Sequence, residues 1–281
     1  MKEHTAKLKS GLHLHYLEFS GEGETILLTH GLTANAHAFD GVIAAGLSPK
    51  YHVISVDLRG RGLSDKPETG YHMRDHVHDI LELMDVLGLE KVVLGGHSFG
   101  AFLTMYLAAH FPERVSKAIL LDAAARLHPD TPKLLGPALS RLSQTFPSFE
   151  DYLKQIKTFP FLENAWDEQM TSYYRADVKD LPSGEVTPRA HAAHIEQALK
   201  GPLDIEWLDL LKKMSHPTLF LHALGGYGGE GAPPLIPEAM AQETAEALPD
   251  CTYKQVTGNH QTMLYGQGAA EIVAAIRAFL S

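Results

Sequence analysis

Short apolar runs alternate with longer helical periodicities along the first 125 residues. Residues 12–19 (LHLHYLEF) alternate apolar and polar side chains as a half-buried strand does, whereas TILLTH (25–30) and HVISVDL (52–58) are short buried runs of strand length. MRDHVHDILELMDVLGL places Ile80, Leu83, Met84 and Leu87 at helical spacing and stops at Gly88. KVVLGG predicts a strand, AFLTMYLAAHFPERV a helix ending near Pro112, and KAILLDA (117–123) another strand. From about Arg126 to Met214 no buried strand run occurs. That stretch holds helical pieces such as PALSRLSQTF and FEDYLKQI and the turn-rich DLPSGEVTP. The strand rhythm resumes with PTLFLHA (217–223), a helix PEAMAQETAEAL, a strand TYKQVTG and a last helix AAEIVAAIRAFL. Alternation of this kind implies βαβ units, so the pattern predicts an α/β fold with a mainly parallel sheet. A mostly helical insert at 126–213 divides the core into 1–125 and 214–281.

Composition narrows the function. A chain of 281 residues with 44% hydrophobic and 21% charged residues reads as a globular protein able to bury a sizeable core. A net charge of −10 and the lack of a basic run argue against a nucleic-acid partner. No apolar stretch approaches membrane-spanning length, and MKEHTAKLKS lacks the apolar core of a signal peptide. The single cysteine, Cys251, excludes an intrachain disulfide and fits a reducing compartment, so a cytoplasmic enzyme acting on a small molecule is expected. Oligomeric state is not legible in the sequence.

Candidate chemistry centres on LGGHSFGAF (94–102). Glycines at 96 and 100 flank Ser98 between an apolar strand and an apolar helix, which points to a tight, strained turn presenting the hydroxyl at the end of the sheet. Ser64, in GRGLSD, has no such strand-to-helix context. A serine needs a base, and His260, just after the last strand in TGNHQTML, is the best placed of the 17 histidines. His97 is expected to point away from the nucleophile, and His30 to brace its loop. His76 and His78 would face different directions. His191 and His194 have metal-ligand spacing but no evident third ligand, so no metal is expected. The loop THGLTANAHAF brings Gly31 close to the substrate and offers the N–H of Leu32, with that of Phe99, to a tetrahedral oxyanion.

Together HGLTANAHAF, VDLRGRGLSDKP, GGHSFG and GNH resemble the α/β-hydrolase superfamily along nearly the whole chain, with a pattern closest to small carboxylesterases and acyl-homoserine-lactone-hydrolysing esterases. The resemblance implies a core sheet of about eight strands with the 126–213 insert as a helical cap, and a triad in the order serine, acid, histidine. It also implies structural rather than catalytic roles for Asp57, Arg59 and Arg61. The superfamily usually carries its acid near Gly225–Gly226, where this chain reads ALGGYGGEGAPPLIP. Glu230 in that loop is the first choice, and Asp122 at the end of the preceding strand is the alternative. The function expected is a cofactor-free serine hydrolase of carboxylic esters or lactones. A carbon–carbon bond hydrolase with the same triad, or a non-catalytic ligand receptor on the same fold, are the alternatives. The aromatics Phe146, Phe149, Phe159, Phe161, Trp166, Tyr173 and Tyr174 either line an apolar pocket or form the cap's own core.

Overall fold

The computed structural model describes residues 1–126, 128–228 and 231–281. Eight strands form the central sheet: β1 (Lys2–Lys7), β2 (His13–Phe19), β3 (Thr25–Thr29), β4 (His52–Val56), β5 (Val92–His97), β6 (Val115–Leu121), β9 (Thr218–Ala223) and β10 (Cys251–Val256). Their order is β1-β2-β4-β3-β5-β6-β9-β10. The pairings β1/β2 and β2/β4 are antiparallel and the remaining ones parallel. The mainly parallel α/β sheet read from the sequence is therefore present.

The core strands carry buried apolar residues on both faces because both faces are covered. In β3, Ile26 and Leu28 pack into one cluster and Leu27 into the other. On one face lie α1 (Asp40–Ala44) and α10 (Gly266–Leu280); on the other lie α2 (Met73–Val86), α3 (Phe99–His110) and α9 (Glu238–Ala247). Strand order reverses between β3 and β5, which opens a crevice at their carboxyl ends, where ligands settle in open α/β sheets.

Between β6 and β9 the chain leaves the sheet as a helical cap: α4 (Thr131–Ser140), α5 (Phe149–Ile156), α6 (Gln169–Asp177), α7 (Ala192–Lys200) and α8 (Trp207–Leu211). The turn-rich stretch resolves into a small hairpin, β7 (Val178–Asp180) and β8 (Val186–Pro188), turning through Gly184 at φ +89°. No helix of the described residues is long and apolar enough to cross a membrane.

Candidate active site

Ser98 occupies the turn between β5 and α3 with φ +55° and ψ −117°, a strained conformation for a residue with a side chain. The flanking glycines are required by packing. A Cβ on Gly96 would lie 2.1 Å from the Gly100 carbonyl, and one on Gly100 would lie 2.0 Å from the Thr29 carbonyl. Only bare backbone lets the turn fold this tightly against β3.

The Ser98 Oγ lies 2.9 Å from His260 Nε2, and His260 Nδ1 lies 2.6 Å from Asp122 Oδ2. The three side chains join over separations of 162 and 138 residues, because β5, β6 and the loop after β10 all deliver to the same end of the sheet. With Nδ1–H donating to the carboxylate, Nε2 is left to accept the serine proton. Asp122 also sits at positive φ (+51°), and its Oδ1 accepts the Ala223 N–H at 2.8 Å. It thus bonds a backbone amide and still presents its second oxygen to the imidazole.

Glu230 lies outside the described residues, and the place at His260 Nδ1 that it was expected to take is filled by Asp122. The nearby Gly225–Gly226 turn lies directly on the histidine loop. Gly225 N–H donates to Gly258 O at 2.9 Å, and a Cβ on Gly225 would come within 2.5 Å of that oxygen. Contact this close leaves no room for an acid at Gly225.

Leu32 and Phe99 both line the cavity beside Ser98, and among the described residues no protein acceptor takes either N–H. The Gly31–Leu32 peptide is held from behind: His30 Nδ1–H donates to Gly31 O at 2.8 Å, and Leu58 N–H donates to His30 Nε2 at 3.1 Å. The bracing role read for His30 is what its contacts provide. Arg61, fully buried, adds a bond from Nε to Leu32 O at 3.0 Å.

His97 departs from expectation. Its ring does not point away; it lies 4.7 Å from the His260 ring, and its Nε2–H donates to the His260 carbonyl at 2.7 Å. Backbone alternation predicts opposite faces for adjacent residues only while the strand continues, and the positive φ of Ser98 ends it. His97 therefore anchors the backbone of the histidine loop.

Of the remaining residues singled out in the sequence, Ser64, Asp57 and Arg59 have hydrogen-bond partners nearby, whereas both ring nitrogens of His76 have none among the described residues. Ser64 Oγ donates to Asp57 O at 2.6 Å, Asp57 accepts the Ala36 N–H at 2.7 Å, and Arg59 forms two bonds to Asp79, each 2.5 Å. His76 is buried and His78 exposed. The His194 ring stacks on Tyr71 at 4.7 Å. Among the described residues, no group of three or more His, Cys, Asp or Glu side chains is placed to share a metal ion.

Burial of neutral histidines has a consequence for acid stability. Desolvation, the largest influence, lowers His30 to about 4 and His97 to about 3, the latter helped by the neighbouring His260. Burial lowers His76 as well. The unfolded chain takes up these protons near pH 6.5 and the folded chain does not, so the stabilisation is complete above pH 6.5 and declines as pH falls toward 4 and then 3. At pH 4, His30 and His97 should each have lost roughly 3 kcal/mol of stabilisation. Denaturant midpoints measured from pH 7 to 4 check this: His97→Gln should flatten the decline, and an unchanged slope in that variant would refute the assignment.

The cavity above Ser98 has a volume of about 110 Å³ and takes in Phe159, Phe161, Tyr173 and Tyr174 from the cap. Phe146 and Trp166 belong instead to the cap's own packing: Phe146 meets Tyr152 at 5.0 Å, and Trp166 stacks on Tyr174 at 5.8 Å. The two readings of the cap aromatics thus divide between them.

Residues 24–260 match the family model described as alpha/beta hydrolase fold. Over 239 residues the chain is 36% identical to 2-(acetamidomethylene)succinate hydrolase of Mesorhizobium japonicum, covering 85% of this chain and 81% of the relative. It is 30% identical over 200 residues to cis-3-alkyl-4-alkyloxetan-2-one decarboxylase of Shewanella oneidensis, covering 62% of this chain and 61% of the relative. The crystal structure of an E-2-(acetamidomethylene)succinate hydrolase superposes with a TM-score of 0.85 at 24% identity, over 99% of this chain and 98% of that one. An enol-lactonase from Burkholderia xenovorans superposes with a TM-score of 0.75 at 19% identity, over 99% of each chain.

Proposed function

The chain belongs to the α/β-hydrolase fold family, and on that footing we propose that it is a serine hydrolase cleaving carboxylic esters or lactones through an acyl-enzyme on Ser98. The observation that carries this reading is the unbroken line from Asp122 through His260 to Ser98, with 2.6 and 2.9 Å contacts opening on the cavity. His260 Nε2 takes the proton of Ser98 as Oγ attacks the substrate carbonyl carbon, and Asp122 stabilises the imidazolium. The N–H groups of Leu32 and Phe99 hold the oxyanion of the tetrahedral intermediate. His260 then gives its proton to the departing alcohol oxygen. In the second half it draws a proton from water as the water oxygen attacks the acyl carbon, and it gives that proton to Ser98 Oγ as the C–O bond to the enzyme breaks and the acid leaves.

The relative from Mesorhizobium supports hydrolysis in general, and its named substrate is a succinate, a dicarboxylate. The cavity of this chain is mostly apolar, which supports an ester or lactone with a hydrocarbon body. An organophosphonate ester bearing a p-nitrophenyl leaving group tests the reading directly. One equivalent of p-nitrophenol should appear per chain, with the added mass on the peptide containing Ser98. Labelling of Ser64 instead, or no label at all, would overturn it.

A further inference from the structure

The cavity holds hydroxyl groups that the proposed chemistry does not use. Tyr173, Tyr174 and Tyr227 line it at 3–4% exposure, and among the described residues none of their hydroxyls has a hydrogen-bond partner. Thr131 also lines it, and its buried Oγ1 is unpartnered among the described residues. The phenols share one neighbourhood beside the triad: Tyr173 and Tyr174 meet at 4.7 Å, and Tyr227 stands edge-on to the His260 ring at 5.5 Å. Burial raises all three phenols, and for Tyr174 and Tyr227 the Tyr173 phenol adds to the rise, so each remains a neutral O–H donor. The buried Thr131 hydroxyl is costly unless something pairs with it, and the three phenols beside it offer further O–H donors to whatever enters the cavity.

The charges facing the cavity decide what that acceptor is. Arg141 is the one arginine or lysine among the described residues lining it, and its guanidinium is already spent. Its Nε and Nη2 bond Asp177 at 2.9 and 3.1 Å, Nη2 also donates to Thr33 O at 2.9 Å, and Nη1 donates to Ala138 O. Tyr152 donates to the same Asp177 carboxylate. Arg61 lies behind the oxyanion loop, its guanidinium 5.5 Å from the Phe99 ring, and does not line the cavity. Asp122 also lines the cavity and its charge is felt at Tyr227, where it adds to the rise and would repel an anion.

Building on the serine-hydrolase reading, we propose that these hydroxyls form a donor subsite selecting esters or lactones whose arm carries a neutral acceptor, such as a ketone or amide carbonyl. Such an arm is preferred over both its hydrocarbon and its carboxylate counterparts. Three esters of matched shape test this: p-nitrophenyl 5-oxohexanoate, p-nitrophenyl hexanoate and mono-p-nitrophenyl glutarate. The expected kcat/KM for the keto ester exceeds that of the hexanoate by about tenfold, carried mainly by KM, and that of the glutarate by about a hundredfold. In Tyr173→Phe, Tyr174→Phe and Tyr227→Phe the keto-to-hexanoate ratio, which cancels any common effect on the chemistry, falls toward one. Asp177→Asn uncovers the charge of Arg141 and should raise the glutarate relative to the hexanoate. Turnover of all three esters without the keto preference, or a glutarate preferred over the hexanoate, would overturn the subsite and leave the hydrolase reading standing. Absence of turnover on every ester would overturn both.

Discussion

Ser98→Ala is expected to lower kcat/KM for the esters turned over by about 10⁵- to 10⁶-fold without unfolding the protein. The substitution removes only Oγ. The turn is held by backbone bonds that alanine keeps: Ser98 N–H to Leu121 O at 2.9 Å, and Ala101 N–H to Ser98 O at 2.9 Å. The residual rate would come from binding and from the N–H groups of Leu32 and Phe99. Alanine also keeps the strain of φ +55°, whereas glycine relieves it. Strain of this kind is worth about 1–3 kcal/mol, and glycine returns about 0.5–1 kcal/mol of it as chain entropy in the unfolded state. Ser98→Gly should therefore be as inactive as Ser98→Ala and melt above it, by about 2–4 °C at the middle of that range. Parallel kinetics and thermal melts read both. A loss of activity smaller than a hundredfold in either variant would remove Ser98 from the chemistry.

The parts legible in the sequence are those where one physical demand dominates a whole segment. β3, β5, β6 and β9 read as strands because burial on both faces gives each a run of consecutive buried residues, mostly apolar. β1 does not, because it is an edge strand in which Ala6 is the one fully buried residue of six, leaving no period to detect. The strands of the β7–β8 hairpin are three residues each, shorter than any reliable pattern, so its Pro-Ser-Gly turn chemistry was all that showed. The same contrast runs through the site. Gly96 and Gly100 betray Ser98 because backbone crowding allows nothing else there, while the contact of His97 with the histidine loop depends on a distant segment that the local sequence does not show. Tyr227, stacked on Phe161 at 4.5 Å and edge-on to His260, sits in a glycine-rich loop whose sequence gives no hint of a cavity wall.

Asp122→Asn is expected to lower kcat by about 10³- to 10⁴-fold, with Glu230→Gln close to the wild type. The asparagine keeps the shape but is neutral, and an amide nitrogen turned toward His260 would favour the tautomer with the proton on Nε2, where it cannot accept from Ser98. The geometry also predicts which way the amide turns. Asp122 Oδ1 accepts the Ala223 N–H at 2.8 Å, and only the amide oxygen can keep that bond. The amide nitrogen is thereby directed at His260 Nδ1, 2.6 Å away in the parent, and either meets a second donor or forces the wrong tautomer. The loss should appear in kcat more than in KM, since Asp122 stabilises an imidazolium that forms only as the reaction proceeds. A comparable loss in Glu230→Gln, with Asp122→Asn near normal, would transfer the acid's role to Glu230. Because Asp122 directly follows β6, the strand next to the nucleophile's own, an acid there holds His260 from the end of the rigid sheet. The loop after β9 is then free to close down on the histidine loop through Gly225 and Gly258.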